Sequence, residues 1–141
     1  MNSKQLGLLG ELKAQYDFIK AGWDVSIPLG DYCSYDFIAI KNDKSLRIQV
    51  KTTEMIRHDE GIMKFSVTSA NYYVNKIYTE KDCDYFYLYC FENEKGYLYS
   101  LQNGTRTDIF LRIYPPKNNQ KKGINFAENF EFSKIIQEIE A

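Results

Sequence analysis

Three side chains in the first half of the sequence could act together on a phosphate ester: Asp36, Gln49 and Lys51. A carboxylate and an amide oxygen are hard donors suited to Mg2+, which is typically held by one or two carboxylates plus waters and substrate phosphate oxygens. A metal held this way lowers the pKa of a coordinated water and offsets the charge that develops on phosphate. A lysine ammonium beside it could orient the attacking water or stabilise the transition state. Gln49 is neutral, so a second carboxylate is wanted. Glu11 is the candidate, set in the stretch Leu8-Leu9-Gly10-Glu11-Leu12 with a glycine beside it that allows close approach.

Other chemistries find less support. His58 is the only histidine and falls in a polar loop, whereas histidine-metal nucleases and Ser-His-Asp hydrolases need the ring in the core chemistry. Asp84, just ahead of the apolar run DYFYLYCF, reads as structural. Cys33, Cys83 and Cys90 are odd in number and form no CxxC pair, so neither a disulfide framework nor a zinc site is signalled.

Position in the chain decides whether the first group can meet. The turn Lys41-Asn42-Asp43-Lys44 joins two β-rich runs, 35–40 and 46–53. A hairpin centred between Asn42 and Asp43 sets Asp36 opposite Gln49, with Cβ atoms roughly 4.5–5.5 Å apart. Side chains alternate with period two, so Lys51 shares that face, and Arg47 and Thr53 extend it. A slip of one residue would destroy the arrangement. The plain alternative is a charged pair on a half-exposed hairpin, worth roughly 0.2–1 kcal/mol.

A helix over 4–22 is expected to carry Glu11, with Leu8, Leu9, Leu12, Tyr16 and Ile19 as its apolar residues, Ser3 as N-cap and Gly22 as the stop. Strands are expected at 23–29, 65–67, 84–91, 97–101 and 109–114, with 84–91 buried and central. A short helix over 69–77, a polar loop after Pro115-Pro116 and a closing helix around 128–140 complete the reading. One α/β domain spanning 1–141 is the expectation, a mixed sheet flanked by helices.

Helix-Glu, strand-Asp, then a short gap to Gln-x-Lys resembles the PD-(D/E)XK nuclease superfamily. GLLGELKAQYDFIKAGWDVSIPLGDYCSYDFIAIK and LRIQVKTTE look like its N-terminal core, and YTEKDCDYFYLYCF with GYLYSL extends the likeness over roughly residues 5–101. The similarity is strongest to the group that includes bacterial group I intron-encoded homing endonucleases. The resemblance implies a restriction-endonuclease-like core, Mg2+-dependent hydrolysis of DNA, and roles for Asp36 as the motif acid, Lys51 as the motif lysine and Glu11 as the helix glutamate. Tyr35 stands where the family has proline, and Gln49 where it usually has Asp or Glu. A Holliday-junction resolvase-like enzyme is a neighbouring reading, and a non-catalytic nucleic-acid or protein-interaction domain is one from another class.

Bulk properties permit this without demanding it. Hydrophobic residues make up 44% and charged residues 26%, an ordinary globular balance. Net charge is -1, but 128–141 hold four Glu (128, 131, 138, 140) against Lys134, leaving the rest slightly basic. Candidate DNA contacts are Arg47, Thr53, Arg57, Ser69, Asn71, Lys76, Lys117, Lys121 and Lys122, through phosphates, hydrogen-bonding side chains or a helix N-terminus at 69. No 18-residue apolar run or secretory leader is visible, so a cytoplasmic protein without a membrane partner is expected. One such site cuts one strand, so cutting both strands of double-stranded DNA implies a homo-oligomer, at least a dimer, with a tetramer plausible.

Overall fold

A computed structural model describes residues 1–70 and 75–141. Its first element, α1 (Ser3–Lys20), is capped by Asn2: the Asn2 side chain accepts from the Gln5 N–H and the Gln5 side chain accepts from the Asn2 N–H. The cap therefore lies one residue ahead of Ser3, because this capping box needs an amide or acid three residues on. Gly22, at φ 90°, turns the chain out of the helix.

Strands β1 (Asp24–Ser26), β2 (Phe37–Lys41), β3 (Lys44–Thr53), β7 (Tyr85–Cys90) and β8 (Lys95–Ser100) form one sheet in the order β1-β2-β3-β7-β8. Neighbours are antiparallel except β3 and β7, which run parallel, so the sheet is mixed. The β2–β3 turn pairs Lys41 with Lys44 and Phe37 with Ile48, the register expected from the turn chemistry. Asn42 adopts φ 56°, a conformation Asn tolerates better than most residues.

Alternation along the strands builds two cores. Ile48, Val50, Tyr87, Tyr89 and Leu98 point to the face covered by Ala14 and Phe18 of α1 and by α2 (Phe132–Glu140). Phe86, Leu88, Cys90, Tyr97 and Tyr99 point to the other face, covered by the ribbon β4 (Ile62–Ser66) and β9 (Asp108–Arg112). Buried on both sides, β7 reads as a continuous apolar run, as parallel central strands do.

A further expectation is corrected. The helix expected over 69–77 is absent at its described residues, 71–74 lying outside them: β5 (Thr68–Ala70) and β6 (Asn75–Ile77) pair antiparallel, with Thr68 opposite Ile77. β-branched Val67 and Thr68 continue the line of β4, and an extended partner satisfies their backbone better than one isolated helical turn. The apolar residues that marked α1 in the sequence, Leu8, Leu9, Leu12, Tyr16 and Ile19, point outward. Its buried line is Gly10, Ala14 and Phe18, chosen by how closely the helix must approach the sheet. No helix among the described residues is long and apolar enough to cross a membrane.

Candidate active site

Asp36 sits where the chain enters β2. Its N–H donates to the Ile48 carbonyl (2.8 Å) and its carboxylate accepts from the Val50 N–H (2.7 Å). Both bonds go to the β3 backbone, so the carboxyl is locked to the strand that carries Gln49 and Lys51. Continuing the β2–β3 register by one residue sets Asp36 opposite Gln49. Gln49 and Lys51 pair with Phe86 and Leu88 on β7 and share their face.

Glu11 reaches Asp36 from α1 and the two carboxyls share a hydrogen bond. The approach depends on Gly10. A Cβ there would stand 2.3 Å from Thr52 Cγ2, closer than atoms can pack, so only glycine lets the helix lie this low on β3. Burial and then the Asp36 charge push the Glu11 carboxyl up to about 7. Burial also raises Asp36, opposed by the Val50 N–H, Lys51 and Glu11. Two carboxyls in one desolvated place cannot both ionise freely, and the charged form is disfavoured at both.

Lys51 completes the group. Its Nζ donates to the Thr68 carbonyl (3.3 Å) and lies 5.2 Å from the centroid of the buried Tyr78 ring. Burial lowers its pKa, while Asp36 pulls it back up. Neither Thr68 nor Tyr78 was legible in the sequence, because each meets Lys51 only after β4 and β5 fold across the sheet.

Two neighbouring carboxyls in a desolvated place suit a hard divalent cation, so Glu11 and Asp36 fit a metal ion of that class. The set is sparse. Among the described residues no three His, Cys, Asp or Glu side chains gather where they could hold a metal ion, and residue 49, opposite Asp36, is a neutral glutamine.

The other singled-out residues lie elsewhere. Arg47 donates to Asp84 through Nε and Nη2 (3.2 and 3.1 Å) and to the carbonyls of Lys81 and Glu80 (both 2.8 Å), so it anchors the 79–84 turn. That partner gives Asp84 a structural place. Lys76 pairs with Asp82 at 2.8 Å and Arg57 with Glu60 at 3.5 Å. Thr53 ends β3, half-buried, opposite Cys90. Ser69 lies in β5 and Asn71 outside the described residues. Lys117, Lys121 and Lys122 stand exposed in the loop before α2. His58 meets Glu92 (2.5 Å) and Tyr114 (3.3 Å), apart from the carboxyl pair.

A mixed sheet whose central hairpin carries Asp36 and Lys51, with Glu11 brought to Asp36 by the helix packed on it, is a nuclease-type α/β core. Over residues 1–133 the chain matches the family model of the PD-(D/E)XK endonucleases, and it belongs to that family. Its fold is that of a solved bacterial homing endonuclease, I-Ssp6803I, with a TM-score of 0.72 at 22% identity, covering 99% of this chain and 97% of that one. No curated protein matches the chain.

Proposed function

We propose that this chain is a Mg2+-dependent DNA endonuclease that hydrolyses phosphodiester bonds, of the site-specific homing type that makes double-strand breaks. The observation that carries the reading is the Glu11–Asp36 carboxyl pair with the Lys51 charge acting on Asp36, in a chain that matches the PD-(D/E)XK endonuclease model. Asp36, Glu11 and the Gln49 amide oxygen would hold the cation, which when bound acidifies a water and neutralises charge on the phosphate. Asp36 is kept in place by the Val50 N–H, so its oxygen need not reorganise during turnover. Lys51, desolvated and directed by the Thr68 carbonyl, orients the attacking water and donates to the phosphate oxygens as they gain charge. Arg47, Thr53, Arg57, Ser69, Asn71, Lys76, Lys117, Lys121 and Lys122 are the proposed DNA-contacting set. Of these the exposed lysines at 117, 121 and 122 have no ion-pair partner among the described residues. The whole chain acts as one nuclease domain, and cutting both strands requires at least two copies.

Gln49 and the missing third acid favour one other reading, a nucleic-acid-binding domain that kept the fold without the chemistry. Supercoiled plasmid carrying a randomised insert, incubated with Mg2+, separates the two. Nicked or linear product that disappears with EDTA and with Lys51→Ala supports the nuclease; intact plasmid at every metal concentration sinks it. Linear duplex and four-way junctions, run side by side, separate site-specific cutting from junction resolution.

A further inference from the structure

Helix α1 is apolar on two opposite sides. Ala14 and Phe18 are fully buried on the sheet, yet Leu8 (55%), Leu9 (41%), Leu12 (51%), Tyr16 (54%) and Ile19 (57%) lie open on the outer side. A helix already seated on its sheet by one apolar side has no need of a second, so the outer stripe is a surface suited to a partner.

Its spacing says what kind. Leu9, Leu12, Tyr16 and Ile19 follow steps of three, four and three residues, the heptad seam along which one helix packs against another. The five side chains expose on the order of 450 Å2, at the scale of the largest patch a monomer tolerates. With the flanking lysine stems this approaches the roughly 800 Å2 that each partner of a stable complex covers.

Charge decides the occupant and its direction. Lys13 and Lys20 line one edge of the seam, both drawn over the Tyr16 ring at 4.9 and 5.9 Å, and Leu8 and Gln15 line the other. The nearby acids are taken: Asp17 by Tyr87 and Lys13, Glu11 by Asp36. When two copies lie parallel about a two-fold axis, the lysine edge of each meets the Leu8–Gln15 edge of the other, and no like charges oppose. Antiparallel pairing would set lysine against lysine.

We propose that α1 pairs with α1 of a second copy, in parallel, through Leu9, Leu12, Tyr16 and Ile19. This deepens the assembly part of the reading above by naming its surface, and it stands whether or not the site cuts DNA.

The test measures mass. Light scattering on wild type is expected to show two or more subunits, and Leu12→Glu with Tyr16→Glu is expected to weaken association roughly tenfold or more, at unchanged circular dichroism. Leu12→Cys alone should crosslink under mild oxidation, where wild type and an exposed Ser45→Cys control do not. A wild-type monomer at every concentration tested, assembly untouched by the double variant, or a monomer that uses the stripe to bind anionic phosphatidylglycerol vesicles overturns the proposal. If the glutamate pair fails to fold, the Leu12→Cys crosslink decides. Because mass is the readout, none of these failures bears on plasmid cleavage by the same protein.

Discussion

At the scale of single residues, Glu11 and Lys51 owe their chemistry to opposite effects of the same burial. Desolvation holds a proton on Glu11 up to about 7 and disfavours the charge on Lys51. The Glu11 shift has a consequence for the metal-free protein. Its folded pKa lies above the ordinary 4.5, so the unfolded chain releases this proton first as pH rises. The stability contributed is whole below about 4.5 and is lost by the time pH passes about 7. Thermal melts at about pH 5 and about pH 8 should therefore differ, and Glu11→Gln, neutral throughout, should narrow the difference. Mg2+ should raise the wild-type melting temperature most at the higher pH, by mass action on the ionised pair. An unchanged pH dependence in Glu11→Gln would show that the proton resides elsewhere. Removing the lysine acts on the reaction instead: Lys51→Ala is expected to slow plasmid cleavage by about 10^2–10^3-fold, the usual cost of losing one transition-state donor, while DNA affinity in a gel-shift assay stays near wild type. These residues could be singled out in the sequence because a turn with strong local chemistry sets the register between 36 and 49. Tyr78 and the Thr68 carbonyl could not, since they meet Lys51 only once β4 and β5 fold across the sheet.

Among the elements, the position of α1 on β3 governs whether Glu11 reaches Asp36. A Gly10 Cβ would stand in ordinary contact with Val50 Cγ1 at 3.5 Å but would clash with Thr52 Cγ2 at 2.3 Å. Gly10→Ala gains helix propensity of about 1 kcal/mol but forces the helix off the sheet, and overpacking of this kind typically costs about 1–3 kcal/mol. A net loss in urea denaturation is expected, together with slower cleavage as Glu11 withdraws. Thr52→Ser removes the clashing methyl, so the double variant should recover both; failure to recover would mean that Gly10 serves something other than close packing. The outward stripe of α1 shows why the helix was only half readable. Periodicity marked Leu8, Leu12, Tyr16 and Ile19 correctly as one face, but a monomer's core is not the only place an apolar face can go. The small residues Gly10 and Ala14 were the better sign of the inner side. The helix expected over 69–77 misled for a related reason: the pairing of β5 with β6 is decided by the ribbon that β5 extends, and local propensity there is weak.

For the whole molecule, the proposed nuclease reading assigns each copy one Glu11–Asp36 pair, so it predicts that the number of strands cut per binding event follows from the number of copies. A mixing experiment reads this directly. Wild-type and Lys51→Ala chains, unfolded together and refolded at varied ratios, should form hybrid assemblies with one working site. Each hybrid can open only one strand, so as the inactive share rises, nicked circles should accumulate while linear product falls more steeply than total cleavage. If every copy instead worked alone, visiting the strands in turn, dilution with Lys51→Ala would slow both products in proportion and leave their ratio unchanged. The same mixture made with Leu12→Glu and Tyr16→Glu in both chains separates assembly from chemistry: loss of linear product with nicking retained would tie double-strand cutting to the α1 surface, whereas retained linear product would place the pairing of active sites on a different face.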